Sequence, residues 1–190
     1  MGTKKLCAFL TVSLLLSLCL TAAWATMSDK DFLNLCMRGT VQEISDELTK
    51  GANPNAKDSD GMTGLMWAAY DNPDPETITL LLKAGADVNA EDNIRHTALM
   101  WAAANNKNSD VLSVLLKAGA DVNAKIESGA FKGWTALMFA ARSNENPEVV
   151  SLLLEAGADA NAKDRRGKTA LDYAREKNNE GAIKVLEASR

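Results

Sequence analysis

His96 is the single histidine of this 190-residue chain. A side chain that titrates near neutrality is the first place to look for acid–base or metal chemistry. Nothing in the sequence completes a site around it. No nucleophile stands in a recognisable pattern with it, no His/Cys set has zinc-ligand spacing, and there is no glycine-rich phosphate loop. Of three cysteines, Cys7 and Cys19 fall among the first 25 residues and Cys36 stands alone. Cys36 sits among Phe32, Leu33, Leu35 and Met37, which reads as a small buried hydrophobe rather than a reactive thiol. Met66, Met100 and Met138 recur in matching contexts. Soft sulfur ligands suit Cu(I), but copies on separate layers of a stack do not converge on one ion, so the row reads as packing. Asp87, Asp121 and Asp159 recur identically and read as turn residues rather than as acids or bases. Lys163, Arg165, Arg166 and Lys168 form a small basic cluster, either a solvated end or a dock for an acidic partner. These residues point to no catalysis, no cofactor and no metal.

The first 25 residues differ in kind from the rest. Lys4 and Lys5 precede an apolar run, Leu6–Leu20, and Ala23-Trp24-Ala25 supplies a small-x-small cleavage pattern. This reads as a secretory signal peptide at residues 1–25. The run is short for a spanning helix, which needs about 20 apolar residues, and no later run is long enough. The expected product is Thr26–Arg190, exported to a bacterial periplasm first and to the extracellular space second. Its net charge would move from −4 to −6, since the leader carries two lysines and no acid. Such a chain has no general attraction to nucleic acid or to anionic membranes.

What positions the remaining residues is a repeat. TGLMWAA (Thr63–Ala69), TALMWAA (Thr97–Ala103), TALMFAA (Thr135–Ala141) and TALDYAR (Thr169–Arg175) open four helices. A second marker travels with them: KGANPNA from Lys50, AGADVNA from Ala84 and again from Ala118, and AGADANA from Ala156. Both markers step by about 34 residues, and both gain four at one place, so the period belongs to a stacked array with one insertion. In each unit Thr caps a first helix. After a polar turn a second helix follows, as in Ser109–Ala118, and a glycine such as Gly119 ends it. Neither helix is long enough to be stable alone, so each unit must bury its apolar side against the next.

The pattern Thr-x-Leu-x-x-Ala-Ala, then Leu-Leu-Leu-x-Ala-Gly, then Ala-Asp-Val-Asn-Ala resembles the ankyrin repeat. The resemblance covers Asp29–Arg190 in five units, near 29–57, 58–90, 91–124, 125–162 and 163–190. It implies an all-α repeat solenoid of helix–turn–helix units joined by β-hairpin-like fingers, with Asp58, Asp92 and Asp164 heading fingers and wet caps at both ends. The chain departs from the family's Thr-Pro-Leu-His. Gly64, Ala98, Ala136 and Ala170 stand in place of Pro. Met66, Met100, Met138 and Asp172 stand in place of His. The expectation is that Met gives up the bond back to the Thr cap and packs instead, whereas Asp172 keeps a capping box.

Residues identical in all units serve stacking, and residues that vary at equivalent positions are free to read a partner. The variable positions include Met62, His96 and Trp134 before the Thr, Tyr70 and Arg142 after the Ala pair, and Ile94 in a finger. Trp67, Trp101, Phe139 and Tyr173 form an aromatic row, either packing between units or the floor of a protein groove. The third finger, KIESGAFKGW (Lys125–Trp134), is the long one. Its Phe131 and Trp134 are either exposed for binding or folded back over the neighbouring unit. The candidate partner-binding set is therefore Met62, Trp67, Tyr70, Ile94, His96, Trp101, Phe131, Trp134, Phe139 and Arg142. The expected function is a monomeric, non-catalytic scaffold of the cell envelope that binds a partner protein through fingers and concave face. An accessory or inhibitory subunit of an envelope enzyme is the alternative, and a small-ligand or peptidoglycan binder a weaker one.

Overall fold

The computed structural model describes residues 27–189. The expected signal peptide lies outside them. Ten α-helices and no strands occur among the described residues: α1 (Asp29–Arg38), α2 (Val41–Thr49), α3 (Gly64–Asp71), α4 (Pro75–Lys83), α5 (Ala98–Asn105), α6 (Ser109–Lys117), α7 (Ala136–Ser143), α8 (Pro147–Glu155), α9 (Ala170–Glu176) and α10 (Glu180–Ala188). The odd-numbered helices pack on one another in chain order to form an inner layer, and the even-numbered helices form a parallel outer layer. The chain is an all-α repeat solenoid.

Local chemistry starts each inner helix. Thr63, Thr97, Thr135 and Thr169 cap α3, α5, α7 and α9 by accepting from the N–H three residues on. The outer helices α4, α6 and α8 use Asp74, Asn108 and Asn146, with Pro75 and Pro147 already set for a first helical position. Asp172 closes its capping box on Thr169 as expected. One expectation needs correction. Met66 does not abandon its cap: the Thr63 N–H donates to the Met66 sulfur at 3.4 Å. A thioether is a weak acceptor, so most of its contribution is still packing. Met66, Met100 and Met138 are all buried.

The inner helices carry Leu and two Ala on their packing faces, and Leu65, Leu99, Leu137, Ala69, Ala103 and Ala141 are fully or almost fully enclosed. Gly64 answers to its neighbour. A Cβ built there would sit 2.8 Å from the Cys36 sulfur, so the first inner helix can approach only with glycine at that place. Cys36 is buried, and burial pushes its thiol up to about 12.

Two asparagine columns hold the layers in register. Neither was read from the sequence. Asn72, Asn106, Asn144 and Asn179 each donate to two carbonyls of the preceding unit; Asn106 reaches Ala69 O at 3.1 Å and Asn72 O at 3.0 Å. Their own carbonyls accept from the next turn. Along the far edge, Asn55, Asn89 and Asn123 donate to Gly85, Gly119 and Gly157 O and accept from the N–H groups of Asp87, Asp121 and Asp159. Those aspartates in turn accept from the N–H two residues on, which is a turn function.

Candidate partner-binding face

Each short finger is organised by the carboxylate that heads it. Asp58 Oδ1 accepts from the N–H groups of Asp60 and Met62, Asp92 Oδ1 from Ile94 and His96, and Asp164 Oδ1 from Arg166 and Lys168. The second oxygen reaches down to the inner helix. Trp67 Nε1 donates to Asp58 at 2.9 Å, Trp101 Nε1 to Asp92 at 3.3 Å, and the Tyr173 hydroxyl to Asp164. So a finger head and a ring nine residues later form one pinned unit. The fingers are closed by turn bonds, with an isolated antiparallel bridge at Lys57–Thr63, rather than by strands.

The long third finger keeps the closure and changes the chemistry. Ile126 N–H donates to Trp134 O at 3.1 Å, the bond that Asp58, Asp92 and Asp164 make to the ends of their own fingers. Ile126 is buried where the others place a carboxylate, and Phe139 stands where they place a ring with a donor. An apolar pair replaces a polar pair, and neither half leaves the other unsatisfied.

The rings touch in an unbroken line. Trp67 meets Tyr70 edge-on at 6.1 Å, and Tyr70 meets Trp101 edge-on at 5.6 Å. Trp101 meets His96 at 5.0 Å, and His96 meets Phe139 and Phe131 at 5.2 and 5.8 Å. Trp134 lies 4.9 Å from Phe139 and 4.4 Å from Tyr173. The Arg142 guanidinium lies 5.5 Å over the Trp134 ring, and the Lys168 ammonium 5.6 Å over Tyr173. Edge-on pairs of this kind contribute about 0.5–1.5 kcal/mol each beyond burial.

Burial sorts the ten candidate residues. Met62, His96, Trp134 and Phe139 are buried and support the face from beneath. Trp67, Tyr70, Trp101, Phe131 and Arg142 are half-buried. Ile94, at a finger tip, is 57% exposed, the one large hydrophobic that stands free among the described residues. For the long finger, the folded-back placement is the one adopted: Trp134 turns inward and Phe131 packs on it at 5.1 Å. The sequence could not show this, because inward or outward is decided by Phe131, Phe139 and Tyr173 meeting Trp134 across two units.

This geometry agrees with the comparison by family. A family model for ankyrin repeats (three copies) matches residues 33–126 and 124–189. The chain belongs to the ankyrin-repeat family. Ankyrin repeats generally mediate protein–protein interaction, and proteins built of them are typically non-catalytic scaffolds. No curated protein matches the chain by sequence.

Electrostatics within this ankyrin array follow from burial. Burial pushes His96 below its ordinary value, and Asp92, whose carboxylate is 3.5 Å from Nδ1, opposes the shift in part. His96 Nδ1 makes no hydrogen bond of acceptable geometry. Burial pushes the Asp164 carboxyl up, but the Tyr173 hydroxyl and the N–H groups of Lys168 and Arg166 outweigh it, and the net shift is downward. Tyr173 moves the other way, to about 12, through burial first and its bond to Asp164 second. The Asp164–Tyr173 pair is thus a structural ion–phenol bond. Arg95 adopts φ 72° where the equivalent positions of the first and fourth fingers are Gly61 and Gly167. A non-glycine residue in the left-handed region is strained; the Arg95 N–H donates to Asp92 O at 3.0 Å, and its side chain pairs with Glu91 at 2.8 Å and Glu127 at 3.5 Å.

Proposed function

We propose that the chain is an exported, non-catalytic scaffold that holds another protein against the finger tips and inner helices. The observation that carries this is the division of the aromatic line. Its rear rings Trp134, Phe139 and Tyr173 are buried, whereas Trp67, Tyr70 and Trp101 are only half-buried, and Ile94 at a finger tip is exposed. Stability alone asks for no outward Trp or Tyr, and these are the side chains that anchor protein interfaces. Trp67 and Trp101 are tied to the fingers by Asp58 and Asp92 before binding, so little ordering entropy remains to be lost. Export, with the periplasm as destination, rests on Lys4, Lys5, the Leu6–Leu20 run and Ala23-Trp24-Ala25.

The test is affinity capture with tagged Thr26–Arg190 from an envelope extract of the source cell, read by mass spectrometry. Ile94→Asp and Tyr70→Ala variants run beside it. A protein retained by the wild type and lost by variants with unchanged circular dichroism supports the reading. A protein retained equally by all three moves the site away from this face.

A further inference from the structure

The inner face is not electrically uniform. Its C-terminal half carries Lys132, Arg142, Arg165 and Arg166, and none of them takes part in an ion pair among the described residues. The carboxylates nearby are already engaged. Asp164 is buried and fully bonded, Glu176 is held by Lys168, and Glu127 by Arg95. A chain of net charge −4 thus gathers uncompensated cations on one patch, against its own average. A solvated charged surface would mix the signs.

Two of these cations, Arg142 and Arg165, are also held in place. The Arg142 guanidinium is placed over the Trp134 ring, 5.5 Å from its centroid. Arg165 N–H donates to Lys132 O at 3.2 Å, and its side chain donates to Gly129 O at 3.3 Å. The third and fourth fingers touch so closely that a Cβ at Gly133 would come within 2.8 Å of Asp164 Cα. A guanidinium already placed loses little freedom on donating to a carboxylate in bidentate fashion. Beside this patch the floor turns apolar. The small Ala104 stands in sequence between the equivalent positions Tyr70 and Arg142, Trp101 is half-buried, and Ile94 is exposed at its finger tip.

We propose that this face takes a segment of a partner protein that pairs an apolar anchor with acidic residues. The anchor lies on Trp101 between Tyr70 and Ile94, and the carboxylates reach Arg142, Lys132, Arg165 and Arg166. This rests on the protein-binding reading above and names the chemistry of the partner. An acidic peptide is favoured over nucleic acid because the chain as a whole repels a polyanion, whereas a short acidic segment meets only the local patch.

The experiment is selection of a random displayed peptide library against Thr26–Arg190, followed by affinity measurement of the enriched peptides by fluorescence anisotropy. The expected peptides combine Asp or Glu with an aromatic or branched apolar residue. Their affinity falls about tenfold or more in Arg165→Glu/Arg166→Glu, whose side chains are exposed, and in Arg142→Glu, each checked for an unchanged urea midpoint. It is unchanged in Arg38→Glu, the same charge change at the other end, and it weakens as salt rises. Enriched peptides that are neutral or basic, insensitive to Arg165→Glu/Arg166→Glu but lost on Tyr70→Ala, overturn the acidic partner and leave the protein-binding reading standing. No enrichment overturns both. A single-stranded oligonucleotide that binds more tightly than every enriched peptide overturns the choice of partner class.

Discussion

His96 sits among Trp101, Phe131 and Phe139 with Asp92 as its one nearby charge. Its folded pKa is depressed, so the fold holds it neutral. The unfolded chain binds its proton near pH 6.5, and the folded chain only at lower pH. Stability conferred by keeping it neutral is therefore intact above pH 6.5 and declines as pH falls below, by at most about 1.4 kcal/mol per unit. Urea unfolding of wild type and His96→Phe at pH 7.5 and pH 5.5 checks this. The expected result is a wild-type loss between the two that is smaller in the variant. An equal loss in both would place the proton uptake elsewhere. The lack of a nucleophile or zinc-ligand pattern around His96 was legible in the sequence. Its burial was not, because the rings that cover it come from α5, α7 and the long finger.

Elements are held by pairings that span one repeat. Gly64 and Cys36 are such a pair, and they lead to a coupled prediction. Gly64→Ala alone gains helix propensity of about 1 kcal/mol, yet it drives a methyl into the Cys36 sulfur, so the net effect is destabilising by about 1 kcal/mol. In a Cys36→Ala background the same change becomes neutral or stabilising. A double-mutant cycle by denaturant unfolding measures the coupling, and additive effects would refute the contact. The asparagine columns act at the same scale. Asn106→Ala leaves the carbonyls of Ala69 and Asn72 buried without a donor, with an expected loss of about 2–4 kcal/mol and a matching drop in the urea midpoint. A loss under about 0.5 kcal/mol would show that water replaces the amide. The spacing of Asn72, Asn106, Asn144 and Asn179 was visible in the sequence. Its meaning was hidden, because asparagine in a polar turn reads as solvated until the preceding unit is seen to close over it.

For the whole molecule, scaffold and surface should separate under mutation. Ile94 is exposed and contributes nothing to stacking, so Ile94→Asp should leave the urea midpoint within about 0.5 kcal/mol of wild type and still lower affinity for any peptide enriched on this face. A large stability loss would mean that Ile94 is part of the packing. Array, period, caps and insertion point were all readable from the chain alone, because each unit repeats the same Thr cap, apolar stripe and terminal glycine, and local rules act within a few residues. Only the tertiary structure could decide which aromatic residues face outward. Trp67, Trp101 and Phe139 occupy one repeating position, yet two of them bond to a carboxylate and stay half-open, and the third meets His96, Phe131 and Trp134 and is buried. Burial is a property of neighbours from other units, and no periodicity along the chain records it.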